Sequence, residues 1–528
     1  MRGQLSGSAE YDLAIVGSGF SGSLLAMIAR RLGRSVVLLE RGRHPRVVIG
    51  ESSTPLSNLL LEELATRFNL PEINQLTKWG VWQDTHPELA CGLKRGFSFF
   101  YHALGERKSR LSREDQLLVA ASPHDQISDT HWYRADFDQY LMQQARGMGA
   151  EYLDELRLNE CIEDGEGMRL RGIRQSCAVE IKARFVVDAS GPRGFLHRTL
   201  QLGEMELPGF PATQALYSHF SGVERLDKLF DEPDGEVPPY PIDDAAVHHI
   251  FDGGWVWVLR FNNGVTSAGV VAVDGLADEL QLQDGQEAWE RILARIPTLQ
   301  MQFAKSKSVQ PFRYLARVGF RSAVITKDNW AMLPSAAGFI DPLLSTGFPL
   351  TLLGIGRLAD ALEETWGSKA FSARLSSYAA STNDDLVATC RLIGALYATM
   401  DRFPVFQAVS LLYFTAASYS ETMRRLGKPH LASSFLLHDH PWFGRSCKSV
   451  MDQAHKVRPG KESADLINQI YRLIGPFDVA GLARRDRGNW YPVEARDLLQ
   501  SAHKVGATRG EVLAMLERCG FPTATLQV

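Results

Sequence analysis

The sequence predicts a mixed α/β protein: a doubly wound parallel sheet, an antiparallel sheet inserted into it, and a helical region at the C-terminal end. Three observations lead there. An apolar strand, a glycine-rich turn, a helix and a second apolar strand follow one another within residues 12–40. Residues 248–261 alternate with a period of two between turn signals. After about residue 366 strand signals fade and helical periodicity takes over.

In chain order, Asp12–Val16 reads as a strand, Ser23–Leu32 as a helix and Ser35–Glu40 as a strand ending in an acid, which completes one βαβ unit. Phe185–Asp188, closed by Ala189-Ser190-Gly191-Pro192, and Asn329–Leu333, just before Pro334, read as further strands returning to the same sheet. That domain is therefore expected to be discontinuous, at about 1–84, 130–205 and 322–365. The inserted domain would take about 85–129 and 206–321, and a helical region 366–528. Within the insert, His248–Phe251, the turn Asp252-Gly253-Gly254, Trp255–Phe261 and Asn263-Gly264 predict an antiparallel meander. Ala103–Asp129 and the proline-bearing Glu224–Asp244 (Pro233, Pro238, Pro239, Pro241) read as long surface loops. Alternation from Leu93 to Tyr101 sets Lys94, Gly96 and Ser98 on one strand face and Leu93, Phe97 and Phe99 on the other.

A chain of 528 residues exceeds one hydrophobic core, and 45% apolar with 22% charged residues is ordinary for a globular enzyme. With 57 basic against 61 acidic residues and no basic stripe, nucleic acid is excluded as an expected partner. The six cysteines (Cys91, Cys161, Cys177, Cys390, Cys447, Cys519) are scattered without metal or disulfide spacing, so no metal site is expected and a reducing cytoplasm fits. The most apolar stretch, Ala408–Ala417, is broken by Ser410 and Thr415 and too short to span a bilayer, which points to a soluble protein without a membrane segment.

The turn Gly17-Ser18-Gly19-Phe20-Ser21-Gly22 has the spacing of a dinucleotide site. The first glycine permits the bend, the second admits pyrophosphate, and the third lets helix and strand pack closely, with phosphate at the helix N-terminus. Glu40, eighteen residues after Gly22, stands where a carboxylate accepts ribose hydroxyls. Tyr133-Arg134-Ala-Asp136-Phe-Asp138, Asp188-Ala-Ser-Gly191 and the stretch around Asp341 resemble segments of flavoproteins, a resemblance that favours FAD over NAD.

Several segments together are more specific: His44-Pro45-Arg46 through Gly50-Glu51-Ser52-Ser53, Gly92-Leu-Lys94-Arg95 through Phe99, Tyr133-Arg134-Ala-Asp136, and His248-His249 through Trp255-Val-Trp257 to Asn263. From about Tyr11 to Leu362 the chain resembles the flavin-dependent halogenases of the tryptophan-halogenase superfamily, in particular the branch that chlorinates phenylpyrroles. The resemblance implies an FAD-binding Rossmann-like fold of the GR2 flavoprotein monooxygenase type. It implies that FADH2, supplied by a separate NAD(P)H-dependent flavin reductase, meets molecular oxygen to form a C4a-hydroperoxide, and that chloride or bromide converts this to hypohalous acid. The acid crosses the interior to Lys94, which holds it by hydrogen bond or as a haloamine beside an electron-rich aromatic (pyrrole, phenol or indole-like), free or bound to a carrier protein. That chemistry needs a lysine in a dry pocket.

The same resemblance places Gly17, Gly19, Phe20, Ser21, Gly22, Glu40, Glu51, Ser52, Arg134, Asp188, Gly338, Asp341, Pro342 and Gly347 at the cofactor, and the amides of Thr346 and Gly347, after Ser345, at the halide. Pro349 in the first turn of the helix that follows agrees with a helix start there. Trp255 and Trp257, on one strand face, would partition flavin from substrate. Asp341 would orient substrate, accept the ring proton, or serve as a structural cap. Two positions depart from the pattern: Leu259-Arg260 stands for Ile-Pro after the tryptophans, where Arg260 would line the pocket or be solvated, and Pro334-Ser335 stands for Gly-Asp. Phe403, Phe406, Leu412, Tyr413 and Phe414 would cover the pocket, pack a core or form a homodimer contact. An aromatic hydroxylase of the same fold and a flavin-binding reductase are the competing readings.

Overall fold

The computed structural model describes residues 10–105, 112–165, 167–229 and 237–522. Its first sheet runs β7 (Glu151–Leu153), β2 (Val36–Leu39), β1 (Glu10–Val16), β10 (Cys177–Asp188) and β15 (Trp330–Met332), all parallel. An antiparallel arm of β8 (Leu156–Asp164) and β9 (Gly167–Arg174) extends from β10. The Leu13–Val16 run carries no polar alternation because both faces of β1 are covered, and all four side chains are buried. Helices α1 (Phe20–Arg31) and α3 (Arg134–Gly147) pack together on this layer, and α2 (Pro55–Arg67) and α4 (Gly347–Glu364) against one another beside it.

The second sheet contains β11 (Thr213–Ser221), β14 (Val265–Val273), β13 (Gly254–Arg260), β12 (Ala246–Phe251), β4 (Gly96–Tyr101) and β5 (Gln116–Ala120), in that order. Strands β11 to β12 form the antiparallel meander, whereas β12 and β4 pair in parallel. Strand alternation sorts β13 between two cores: Trp255, Trp257 and Leu259 join the main cluster shared with the first sheet, and Val256 and Val258 join a separate cluster under the helices Gln286–Arg295 and Pro297–Phe303.

After α4, the helices α5 (Phe371–Tyr397), α6 (Phe403–Arg425), α7 (Phe443–Ala454) and α8 (Lys461–Ile474) follow. They are not a separate layer, since α5 and α6 bury their apolar sides in the main cluster, and the short strand Trp490–Tyr491 adds in parallel to β5. Among the described residues no helix is long and apolar enough to cross a membrane.

Two readings of the insert need correction. Ala103–Asp129 is not one surface loop: Gln116–Ala120 is a strand of the second sheet with Leu117, Leu118 and Val119 buried, while residues 106–111 lie outside the described residues. In Glu224–Asp244, residues 230–236, Pro233 among them, also lie outside, and Tyr240 and Ile242 are core rather than surface. The continuous alternation from Leu93 fails as well. The strand breaks at Arg95 into β3 (Cys91–Lys94), paired with β6 (Asp129–Trp132), and β4, so Lys94 turns to the side of Phe97 instead of opposing it.

Candidate active site

The glycine turn forms a cradle with two closed sides and one open side. Gly17 sits at φ +105°, and a Cβ there would lie 2.5 Å from the Ala189 carbonyl oxygen; at Gly22 it would lie 1.9 Å from the Gly17 oxygen. A Cβ on Gly19 meets nothing closer than 3.5 Å, and its neighbours are the guanidinium groups of Arg46 and Arg134 and the Asp138 carboxylate. Arg134 binds Asp138 through two bonds of 2.7 and 2.8 Å and the Gly50 carbonyl at 2.8 Å, while Arg46 bridges Glu40 at 3.2 Å.

Glu40 accepts from the Ser18 hydroxyl at 2.9 Å and the Gly42 amide at 2.8 Å. Burial raises its pKa, but the Arg46 charge and these hydrogen bonds outweigh that and hold its carboxyl below the usual range. A turn that excludes side chains, two cations above its open glycine and a carboxylate ending β2 are the parts a dinucleotide requires, so the residues present fit one.

Four other residues assigned to the cofactor serve the turn's surroundings. Phe20 packs on Trp132 and Phe348, with ring centroids 5.5 and 5.1 Å apart, and Ser21 is buried in α1. Asp188 gives both oxygens to its own loop, accepting from the Ser190 hydroxyl and amide and the Leu196 amide. Glu51 is buried and bonds His219 Nε2 at 2.8 Å.

At the start of α4 the chain passes through two consecutive left-handed non-glycine residues, Leu344 (φ 63°) and Ser345 (φ 56°). Each such residue costs about 1–3 kcal/mol, so packing must enforce them. Beyond them the amides of Thr346, Gly347 and Phe348 have no backbone acceptor among the described residues. Unpaired amides at the end of an 18-residue helix suit an anion. Gly338 lies against Leu386, where a Cβ would come within 2.7 Å, and Pro342 opens the turn.

Asp341 caps that turn through the Leu343 amide at 2.9 Å and accepts from the Tyr397 hydroxyl at 2.9 Å. Tyr397 in turn accepts from Trp255 Nε1 at 3.1 Å. Complete burial pushes the Asp341 carboxyl up to about 7. The two indoles lie side by side, centroids 5.8 Å apart, and Trp257 occupies space that exists because residue 269 is glycine, where a Cβ would stand 2.4 Å from the indole.

Lys94 is fully buried. Its ammonium donates to Ser52 Oγ at 2.8 Å and the Ser53 carbonyl at 2.5 Å, and lies 3.8 Å from the centre of the Phe97 ring. Burial draws its pKa down to about 7. Packed rings fill the space between it and the tryptophans: Phe97 neighbours His248 at 6.0 Å, and His248 neighbours Trp255 at 5.4 Å. Helix α6 covers the same sheet face, with Phe414 5.1 Å from Phe97, Phe406 5.9 Å from Phe99 and Phe403 5.3 Å from Tyr101. A cavity of about 140 Å³ opens beside Phe97, lined also by Thr54, Lys78, Tyr413 and Phe414. Leu412 faces away, into a second cavity against α7.

Arg260 does not line the cavity, and its side chain is largely buried, at 18% exposed. It pairs with buried Asp243 at 2.9 Å and donates to the carbonyls of Val223 and Glu224, tying the strand's exit to the neighbouring loop where the pattern has proline. Sequence reasoning gave no role to Arg46 and His248, although both stand in the segments that carry the resemblance, and it missed Asp129 and Tyr397. Asp129-Thr-His-Trp, directly before Tyr133-Arg134, carried some signal; Tyr397, inside a long helix, carried none.

Residues 101–403 match the family described as tryptophan halogenase, more than half of the chain, and residues 15–55 match an NAD(P)-binding Rossmann-like domain. The chain belongs to the tryptophan halogenase family. This halogenase is 28% identical over 497 residues to monodechloroaminopyrrolnitrin halogenase PrnC of Pseudomonas fluorescens, covering 90% of its own length and 86% of PrnC's. It is also 28% identical over 421 residues to tetracycline 7-halogenase of Kitasatospora aureofaciens, covering 78% and 74% of the two chains. Among solved structures, halogenase PltM in complex with phloroglucinol and FAD superposes with a TM-score of 0.78 at 23% identity, over 90% of this chain and 99% of that one. The halogenase is thus a mixed α/β enzyme of the flavin-dependent halogenase class.

Proposed function

We propose that the protein uses FADH2, oxygen and chloride or bromide to halogenate an electron-rich aromatic, with Lys94 delivering the halogen. The observation that carries this is a lysine amine shut away from solvent, held by Ser52 and Ser53 and joined through Phe97 and His248 to the tryptophan pair. Oxygen, activated by bound reduced flavin, would supply the oxidising equivalents that turn halide into hypohalous acid. Gly17, Gly19 and Gly22 admit its pyrophosphate, with Arg46 and Arg134 as counter-charges, and Glu40 accepts from the ribose. The free amides of Thr346 and Gly347 hold halide. Trp255, fixed through Tyr397 to Asp341, and Trp257 separate the two compartments, so Asp341 works through the wall as a positioning residue.

At Lys94 the acid's oxygen accepts a hydrogen bond, which weakens the O–halogen bond. The ring carbon's π electrons take up the halogen, hydroxide leaves and gains the lysine proton as water, and the ring proton returns to the amine. Aromatic plus hypohalous acid thus becomes haloaromatic plus water. A neutral lysine could instead hold the halogen as a haloamine. The packed rings require side-chain movement for the acid to pass. The names of PrnC and of the tetracycline enzyme support an aromatic substrate, and a separate flavin reductase is the expected electron source.

The test is product mass from an aromatic panel with FAD, flavin reductase, NADH, oxygen and either halide. Lys94→Ala is expected to keep oxygen-dependent flavin reoxidation and lose halogenated product; product at the wild-type rate in that variant would overturn the assignment.

A further inference from the structure

Asp129 is the cross-strand neighbour of Lys94 in the β3–β6 pair, and both are fully buried. Asn58 on α2 donates to its Oδ1 at 2.8 Å, while Oδ2 is buried and finds no hydrogen-bond partner among the described residues. Lys94 has the complementary surplus: two of its three N–H groups go to Ser52 and Ser53, and the third has no acceptor among the described residues. Side chains directly opposite on an antiparallel pair start about 4.5–5.5 Å apart at Cβ, so the buried carboxylate lies close enough to act on the buried ammonium through its charge, with no ion pair within 4 Å between them among the described residues.

The groups around them define the electrostatics. His131 on β6 and His248 on β12 face Lys94, and both are driven neutral by burial and by the lysine charge. Lys78, whose pull on Asp129 exceeds that of Lys94, and Glu421 also act on it, and Glu421 is already paired with Arg425 at 2.8 Å. The Tyr413 hydroxyl stays protonated because it is buried near Asp129. Burial pushes the Asp129 carboxyl up to about 6, so above that pH it is the anion in Lys94's field.

We propose that Asp129 is a positioning residue for halogenation: anchored by Asn58 directly across the strand pair, its charge favours the ammonium form of Lys94, so that hypohalous acid is held by hydrogen bonding rather than as a haloamine. Haloamine formation needs the lone pair of a neutral amine, which attacks halogen with loss of water; an ammonium has no lone pair to give. Burial alone drives Lys94 toward the neutral form and Asp129 opposes it, so removing the carboxylate converts the site to the free amine at working pH.

This inference rests on the reading of Lys94 as the residue that holds the oxidant, and the experiment separates the two. Single-turnover halogenation with pre-reduced FAD is followed from pH 6 to pH 9 in the wild type, Asp129→Asn and Asp129→Glu. Flavin reoxidation is recorded in parallel, and the Lys94 amine is titrated by NMR of isotope-labelled lysine. Asp129→Asn should move the alkaline limb of the product profile about one unit lower, a loss of about tenfold at pH 8 with little change at pH 6. Asp129→Glu should restore the limb, reoxidation should be unchanged, and the Lys94 titration should move with the limb. A merely structural role would lower the plateau without moving the limb. If Asp129→Asn does not fold, Asn58→Ala, which keeps the charge but loosens it, should give a smaller shift in the same direction. An unmoved limb, or activity extended to higher pH as a haloamine route requires, overturns the proposal. If Lys94→Ala keeps full product formation while the NMR midpoint still responds to Asp129, the reading of Lys94 fails instead.

Discussion

Asp341→Asn provides a quantitative check on the link between the α4 turn and the tryptophans. The carboxyl is fully buried, with a pKa raised to about 7 from 3.8, so the folded protein binds a proton there that the unfolded chain has released. The stability this proton contributes is complete below the unfolded value and declines as pH rises through the folded one. Over the whole window a shift of this size corresponds to roughly 4 kcal/mol, of which roughly 3 kcal/mol falls between pH 5 and pH 8, at about 1.4 kcal/mol per unit. Asparagine cannot ionise, and its oxygen still accepts from the Leu343 amide; the hydrogen bond from Tyr397 is perturbed at every pH, at about 1 kcal/mol. The variant should therefore gain on the wild type by roughly 3 kcal/mol between pH 5 and pH 8. For a chain of 528 residues this is about 3 °C in melting midpoint. Differential scanning fluorimetry of both proteins at the two pH values measures the difference directly. A constant offset between them at pH 5 and pH 8 would refute the buried, protonated carboxyl and with it the account of how Trp255 is held.

Two further variants test the wall and its exit. Gly269→Ala should place a methyl 2.4 Å from the Trp257 indole and 2.5 Å from the Tyr217 Cβ, costing about 1–3 kcal/mol; a lowered melting midpoint with altered indole near-UV dichroism is expected, and wild-type spectra would contradict the packing. Arg260→Ala leaves Asp243 buried without its partner and should cost about 3–5 kcal/mol, whereas Arg260→Ala with Asp243→Ala together should recover part of it; additive losses in that double-mutant cycle would show the pair is not coupled.

By itself the sequence determined what depends on local spacing. The glycines of the turn, the acid closing β2, the period-two segment with its indoles two residues apart and the proline opening α4 each report on chain within one or two elements, so steric and periodic rules suffice to read them. Lys94 was legible only as part of a motif; its periodicity pointed to the wrong face, because the break at Arg95 comes from pairing with β6, a partner 35 residues away. Tertiary structure alone decided what sits opposite what. The Asp129–Lys94 neighbourhood, the Asp341–Tyr397–Trp255 chain, the Arg260–Asp243 clamp and the Arg46–Arg134 pair above Gly19 all join residues from separate elements. Charge, burial and hydrogen bonding act through a few ångströms of space, and a distance along the chain carries no trace of them until strands pair and helices cover the sheet.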